Sequence, residues 1–428
     1  MKPNETALTD GGIQVENSAS LTDRRIKSAR ERDLFPRTKW MGKLNKQWLI
    51  GIVSTLVGCL ISVCHASEIS RAEALRVTSA AVQPVMEKNQ IPGMAVGLVF
   101  QGQTYVFNFG MASVKDQRPV TDATIFEIGS VSKTFTATLA TYAEIDGKLQ
   151  LSDTVASYLP ELADTDFGRL QLYHLGTHTT GGLPLQVPDE VRNEMQLLDY
   201  FRAWKPPHKT GAVRTYANPS VGTLGLIAAK SMRQDFSTAM RQQIFQPLNL
   251  ESTYLSVPSE KMTSYAFGYT KDKTPVRVNP GVLSNEAYGV KTTAQDLTRF
   301  LKANMGMFQL GSPLQTALDN TRKGYFKVGN MTQDLIWEEY ALPVDLQVLQ
   351  KGNSGAVIYN PIPVVALVPP AAPRPDVWVN KTGSTNGFGA YVAFVPSKRF
   401  GIVVLANKNY PNEERVEIAH RIFEALSR

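Results

Sequence analysis

The chain has 428 residues, 43% of them apolar and 19% charged, which fits two ordinary domains or one large composite domain. That apolar fraction with a net charge of only +7 excludes intrinsic disorder, and a single long apolar run excludes a polytopic membrane protein. Two cysteines in the whole chain exclude a disulfide framework and a cysteine-rich zinc site.

Residues 1–40 are polar, mixed in charge and free of sustained periodicity, and read as an extension, non-native or disordered, upstream of a start at Met41. The choice between Met1 and Met41 as the translation start stays open. Met41-Gly-Lys-Leu-Asn-Lys-Gln then leads into an apolar run from Trp48 to Val63, closed by Cys64-His65-Ala66. A basic start, an apolar stretch and a small terminal residue predict a signal peptide over 41–66, cut after Ala66. Cys59 and Cys64 leave with it. As an uncleaved anchor the run falls short of the ~20 residues a spanning helix needs. Leu56-Val-Gly-Cys59 resembles a lipoprotein box, but the apolar run continues past Cys59. Arg24-Arg25 resembles a twin-arginine signal, yet lies more than twenty residues ahead of the run. Residues 1–66 hold ten Lys and Arg against six Asp and Glu, so only +3 remains for 67–428. No basic tract interleaved with aromatics follows, and a nucleic-acid partner is excluded.

Periodicity predicts a helix over 69–88, then two β-rich runs, Gly93–Phe100 and Gln103–Phe109, joined as a hairpin by Gln101-Gly102. A helix runs from near Ser130 to about Ile145 and stops at Asp146-Gly147. From about 146 to 349 the pattern is mainly helical, with helices over 219–232, 237–246 and 294–305 between Gly- and Pro-rich loops. Strands return at Val377–Asn380, Ala390–Pro396 and Gly401–Ala406, and a helix over Glu413–Leu426 closes the chain. The proline cluster 361–375 reads as an extended connection. Strands at both ends with helices between them predict an α+β fold: one antiparallel sheet built from 67–145 and 350–428, flanked by helices, with a helical region inserted.

Three short motifs carry chemistry. Ser130-Val-Ser-Lys133 stands where the β-like Ile125-Phe-Glu-Ile128 passes through Gly129 into a helix. Positions i and i+3 share a helical face, so the Lys133 amine can reach the Ser130 hydroxyl, which needs a neighbouring base to become a nucleophile. The Ser130 N–H is an orphan donor of the first turn, free to hold an oxyanion. Tyr216-Ala-Asn218 precedes a helix, and its phenol could act as a base where nearby cations lower its pKa. Tyr410-Pro-Asn412 has the same spacing, so the pattern alone does not select. Lys381-Thr382-Gly383, followed by Ser384, comes after the β-run Val377–Asn380 and reads as an edge strand lining a cleft. Lys209-Thr-Gly211 repeats the triplet in a turn region with no strand behind it and is set aside. His174 and His178 have i,i+4 spacing, but Gly176 lies between them and no H-E-x-x-H is present, so both read as structural.

The order S-x-x-K, Y-x-N, K-T-G, about 86 and 165 residues apart, resembles the class C serine β-lactamases, or cephalosporinases. The resemblance runs from about residue 69 to the C-terminus. It includes Phe126–Phe135, Gly181–Gln186, Glu286–Lys291, Lys381–Pro396 and Leu405–Asn412. It implies a serine β-lactamase/penicillin-binding-protein-like fold and hydrolysis of cephalosporins and penicillins through an acyl-serine. It also implies a periplasmic monomer without cofactor or metal. Ser130 would be the nucleophile, with Lys133 and Tyr216 sharing the proton, and which of them is the base at each step stays open. The N–H groups of Ser130 and Ser384 would form the oxyanion hole. Lys381 would keep the phenol acidic and favour the substrate carboxylate. Gln186 and Asn218 would hold the side-chain amide, Thr382, Gly383, Asn409 and Asn412 would meet the carboxylate end, and Tyr288 would wall the cleft. Arg415 divides between binding and surface. The rival readings are a D-alanyl-D-alanine peptidase, a lactamase-like esterase and a penicillin receptor that stays acylated. The clean K-T-G counts against the esterase, the long C-terminal match against both it and the peptidase, and the lack of a second spanning segment against the receptor.

Overall fold

A computed structural model describes residues 69–427. The extension and signal-peptide readings over 1–66 lie outside the described residues. Helix α1 (Arg71–Asn89) begins where the Ser70 hydroxyl accepts the Glu73 N–H at 3.1 Å, a side-chain cap for an otherwise unpaired donor. The expected hairpin follows as β1 (Gly93–Phe100) and β2 (Gln103–Ser113), then the short β3 (Arg118–Pro119). Next come α2 (Ser132–Ile145), α3 (Asn218–Ser231) and α4 (Ala294–Asn304). Strands resume at β4 (Gly324–Val328), β5 (Met331–Gln333), β6 (Glu338–Ala341), β7 (Val365–Ala371), β8 (Val377–Ser384), β9 (Gly389–Val395) and β10 (Phe400–Ala406), and α5 (Asn412–Leu426) ends the chain.

These ten strands join one antiparallel sheet in the order β7-β4-β5-β6-β8-β9-β10-β1-β2-β3, so early and late strands of the described residues meet in its centre. Both faces of that centre are covered, which explains why β10 reads as an unbroken apolar run. Ile402 and Val404 pack with Ala74 and Val77 of α1 and with Ile418 and Ile422 of α5. Val403 and Leu405 face the other way, into a core with Phe135 of α2, Leu224 of α3 and Phe300 of α4. The two-residue period sorts one strand between two cores.

The α+β fold stands, with three corrections. The sheet region begins at Gly324 rather than near 350, because β4, β5 and β6 lie inside the segment read as helical. The proline cluster is an edge strand in part: β7 pairs with β4 at the rim of the sheet, where prolines break no ladder on the outer side. The helix expected over 237–246 is a short helix, Phe236–Met240, continued by a π-turn, Arg241–Phe245.

Candidate active site

Helix α2 is buried on nearly every side, although it carries four threonines. Three of their hydroxyls are satisfied locally: Thr134 donates to the Val131 carbonyl at 2.8 Å, Thr138 to the Thr134 carbonyl at 2.8 Å and Thr141 to the Ala137 carbonyl at 3.1 Å. A helix so buried is a rigid mount for its N-terminus, where Gly129–Val131 form a single 3-10 turn ahead of Ser132. Gly129 has φ +50, and a Cβ there would lie 2.5 Å from the Ser384 nitrogen. A Cβ on Gly383 would lie 2.0 Å from the Ile128 carbonyl oxygen and 2.9 Å from the Ser130 nitrogen. Two glycines thus let the end of β8 lie directly against the turn that carries Ser130.

The K-T-G triplet is inside β8 rather than after it, and β8 is an interior strand, not an edge. The cleft still opens there for a local reason. Strand β6 starts at Glu338, opposite Asn380, so Lys381–Ser384 run past its end and pair with β9 alone.

Lys133 Nζ donates to three oxygens: Ser130 Oγ at 2.9 Å, Asn218 Oδ1 at 2.6 Å and the Ala287 carbonyl at 2.9 Å. It is fully buried. Burial, and secondarily the like charge of Lys381, bring its pKa down to about 8 although Tyr216 opposes the fall. The Tyr216 ring lies between Lys133 Nζ at 5.1 Å and Lys381 Nζ at 5.0 Å from its centroid, with the Arg214 guanidinium at 5.5 Å. Burial pushes this phenol up, but the Lys133 and Lys381 charges outweigh it and the pKa falls to about 8. The phenolic oxygen is buried, and hydrogen bonding from Ser130 and Lys133 adds to the fall. Lys381 Nζ donates to the Thr382 carbonyl at 3.0 Å.

The segment bearing Tyr288 is fixed to α2, the helix that follows Ser130. Thr136 Oγ1 donates to the Glu286 carbonyl at 2.6 Å, and the Val290 N–H donates to Ser132 Oγ at 3.0 Å. The Asn218 N–H donates to the Leu185 carbonyl at 2.9 Å, which sets Gln186 beside Asn218. A cleft of about 750 Å³ is lined by Ser130, Gln186, Tyr216, Asn218, Tyr288, Lys381, Thr382, Gly383, Ser384, Asn409 and Asn412. Of the residues expected there only Lys133 does not line it, because it sits behind Ser130.

Arg415 belongs to neither expected class. It is fully buried, and its guanidinium donates to the Gly383 carbonyl at 2.8 Å, Ser384 Oγ at 2.9 Å, Asn409 Oδ1 at 2.7 Å and the Tyr410 carbonyl. It ties the end of β8 to the loop before α5 and takes no surface position. Sequence reasoning also missed the support behind Tyr216. Arg214 and Glu338 form a buried ion pair at 2.7 Å, and Arg214 donates to Gln333 Oε1 at 2.6 Å and the Val357 carbonyl at 2.9 Å. Asn353 Nδ2 donates to Asn380 Oδ1 at 3.0 Å, and Asn412 Nδ2 donates to the Asn353 carbonyl at 3.0 Å. Nothing local in the sequence distinguishes these polar residues from surface ones. The two histidines are held separately: His174 Nδ1 is 2.7 Å from Thr179 Oγ1, whereas His178 Nδ1 accepts the Ala217 N–H.

Residues 78–427 match the β-lactamase family model. A curated β-lactamase of Pseudomonas fluorescens is 48% identical over 351 residues, 82% of this chain and 98% of that protein. A crystal structure described as a β-lactamase/D-alanine carboxypeptidase from Pseudomonas syringae is 52% identical, with a TM-score of 0.81 over 82% of this chain and 98% of that one. A class C β-lactamase in complex with cefoxitin is 46% identical, with a TM-score of 0.81 over 83% of this chain and 100% of that one. Order of motifs, fold and likeness along most of its length agree: the chain belongs to the β-lactamase family, as a class C enzyme.

Proposed function

We propose that this β-lactamase hydrolyses cephalosporins, and penicillins with them, through an ester on Ser130, after export to the periplasm. The observation that carries this reading is the Lys133 Nζ to Ser130 Oγ contact at 2.9 Å, with a phenol held near pKa 8 between two ammonium groups. Ser130 Oγ attacks the lactam carbonyl carbon and its proton passes to the Lys133–Tyr216 pair. Their pKa values, both about 8, match a group that must take and return a proton near neutral pH. Because the two are coupled, the proton belongs to the pair rather than to one member. The carbonyl oxygen, now an anion, takes hydrogen bonds from the Ser130 and Ser384 N–H groups, each worth about 2.7–4 kcal/mol of barrier. The C–N bond then breaks and the ring nitrogen receives the proton, leaving the acyl ester. Water attacks that ester, gives its proton to the pair, and Ser130 leaves with a proton restored.

The remaining residues bind. Lys381 supplies charge for the substrate carboxylate, with Thr382 and Gly383 beside it. Asn409 uses its oxygen on Arg415, which leaves its amide nitrogen for an acceptor such as a carboxylate. Asn218 likewise spends Oδ1 on Lys133, and with Gln186 offers an amide to the substrate's side chain. Tyr288 walls the cleft. One chain supplies every one of these groups, which favours a working monomer. Residues 41–66 as a cleaved leader place the enzyme in the periplasm, and among the described residues no helix is long and apolar enough to cross a membrane. Protein recovered from a periplasmic fraction is expected to begin at Ser67.

The test is the number of turnovers of a chromogenic cephalosporin by the purified enzyme. Many equivalents hydrolysed per enzyme support the reading; a single burst with a stable adduct contradicts it. A D-alanyl-D-alanine peptide in the same assay measures the peptidase reading.

A further inference from the structure

His178 is buried behind Tyr216 and contacts it and both of its chain neighbours. Its carbonyl accepts the Thr215 N–H at 2.8 Å, and its Nδ1 accepts the Ala217 N–H at 3.3 Å. One residue therefore holds the N–H groups of both chain neighbours of Tyr216. The imidazole also packs on the phenol, ring centroids 4.3 Å apart. To do this its backbone takes φ +59, the left-handed region that few side chains enter without compensation. A ring that accepts at Nδ1 carries its proton on Nε2, and Nε2 is buried without a partner among the described residues. The cost of leaving that donor unpaired argues that the residue is kept for its other contacts.

The charges facing Tyr216 make an uncharged ring necessary. Lys133 of α2, Lys381 of β8 and Arg214 of its own segment surround it, and among the described residues only Arg214 has an acid partner there, Glu338 of β6. Burial first, then Arg214, Lys133 and Lys381, hold His178 well below the usual histidine range. A protonated ring could not accept the Ala217 N–H, so the clasp and the neutral state require each other.

We propose that His178 is the positioning residue of Tyr216: its carbonyl and Nδ1 hold the N–H groups of the residues before and after the phenol, Thr215 and Ala217, and fix it between the two lysine ammoniums. This rests on the assignment of proton transfer to Tyr216. Loss of the clasp lets the phenol drift from Lys133 and Lys381, so its pKa rises towards the ordinary tyrosine value and the acid limb of the rate profile moves up in pH.

The test compares H178F, which keeps a ring and loses the acceptor, with H178N, which keeps an acceptor and tolerates left-handed backbone. Three quantities are read in the full enzyme: kcat and KM for a chromogenic cephalosporin against pH, the thermal midpoint, and an ultraviolet difference titration against Y216F that isolates the Tyr216 phenol. H178F is expected to lose about 10- to 100-fold in kcat with KM changed less than about threefold, as for a misplaced reacting group. Its acid limb and phenol midpoint move up together by about one unit. H178N is expected to keep both where the unaltered enzyme has them. A merely structural role would scale the rate at every pH by the folded fraction and leave the limb in place. An H178F profile that superimposes on the unaltered one, or an H178N variant shifted as far as H178F, overturns the proposal. If H178F does not fold, H178N decides alone: an unmoved limb supports the clasp and a displaced limb refutes it. If Y216F keeps full activity, the assignment of Tyr216 fails instead, and the two failures are distinguishable.

Discussion

The central difficulty at the residue scale is that serine is a poor nucleophile and lysine a poor base in water. Burial of the Lys133 amine without a carboxylate brings its pKa to about 8, and the same ammonium helps bring the neighbouring phenol to about 8. Lys381 lowers both, by repelling one cation and stabilising one anion. Removing it must therefore raise both, so Lys381→Met is expected to shift the acid limb of kcat/KM to higher pH and to raise KM for carboxylate-bearing substrates. A limb that stays or moves down contradicts the electrostatic account. Ser130→Ala should cost about 10⁶-fold in kcat, the size seen when another serine hydrolase loses its nucleophile, with the thermal midpoint held. These groups were legible because the chemistry constrains short spacings: an amine three residues after a hydroxyl, an amide two after a phenol. Arg415, His178 and the Arg214–Glu338 pair were not. Each acts through burial and a partner tens to hundreds of residues away, and a polar residue's burial leaves no local trace.

Elements position these residues by backbone contact. The end of β8 lies so close to the Ser130 turn that no Cβ fits on Gly383, and the Ser384 and Ser130 N–H groups proposed to hold the oxyanion belong to these two segments. Gly383→Ala is therefore expected to separate them and lower kcat by about 10²–10³-fold, the cost of one oxyanion donor, with KM changed far less. A variant with unchanged kcat would show that the two donors do not act together. Arg415→Met should be felt as stability rather than chemistry alone. It strips a donor from buried carbonyls of Gly383 and Tyr410, worth about 3 kcal/mol together, measured as a fall in unfolding free energy. The sequence pattern yielded long elements well and short ones poorly. β1, β9, β10 and α5 emerge with correct limits to within a few residues, because whole faces of them are apolar. β5 and β6 were hidden by their content. Glu338 and Glu339 sit in a strand because Arg214 and Arg374 neutralise them there, so the alternation looks polar where the structure is buried.

Over the whole molecule the sheet divides two cores, and the site lies where a helix of one meets the strand between them. α2 links the Ser130 turn to the larger core through Phe135, whose ring stacks on Phe300 at 4.0 Å and meets Phe245 edge-on at 5.7 Å. Phe135→Ala should cost about 3–5 kcal/mol of stability, and the fraction that remains folded should retain the unaltered acid limb. Loss of that limb would mean the helix itself had moved. The general plan, a sheet built from both ends around inserted helices, was legible because terminal strands and internal helices differ in period. The ten-strand width was not, since nothing in a strand's own residues names its neighbour. The most direct measurement is the intact mass of enzyme quenched during cephalosporin turnover, followed by mapping of the modified peptide. The account predicts an adduct on the peptide containing Ser130 that forms, falls away as substrate is exhausted, and is absent from the Ser130→Ala variant. An adduct on another residue, or rapid turnover that never passes through a covalent species, would contradict it.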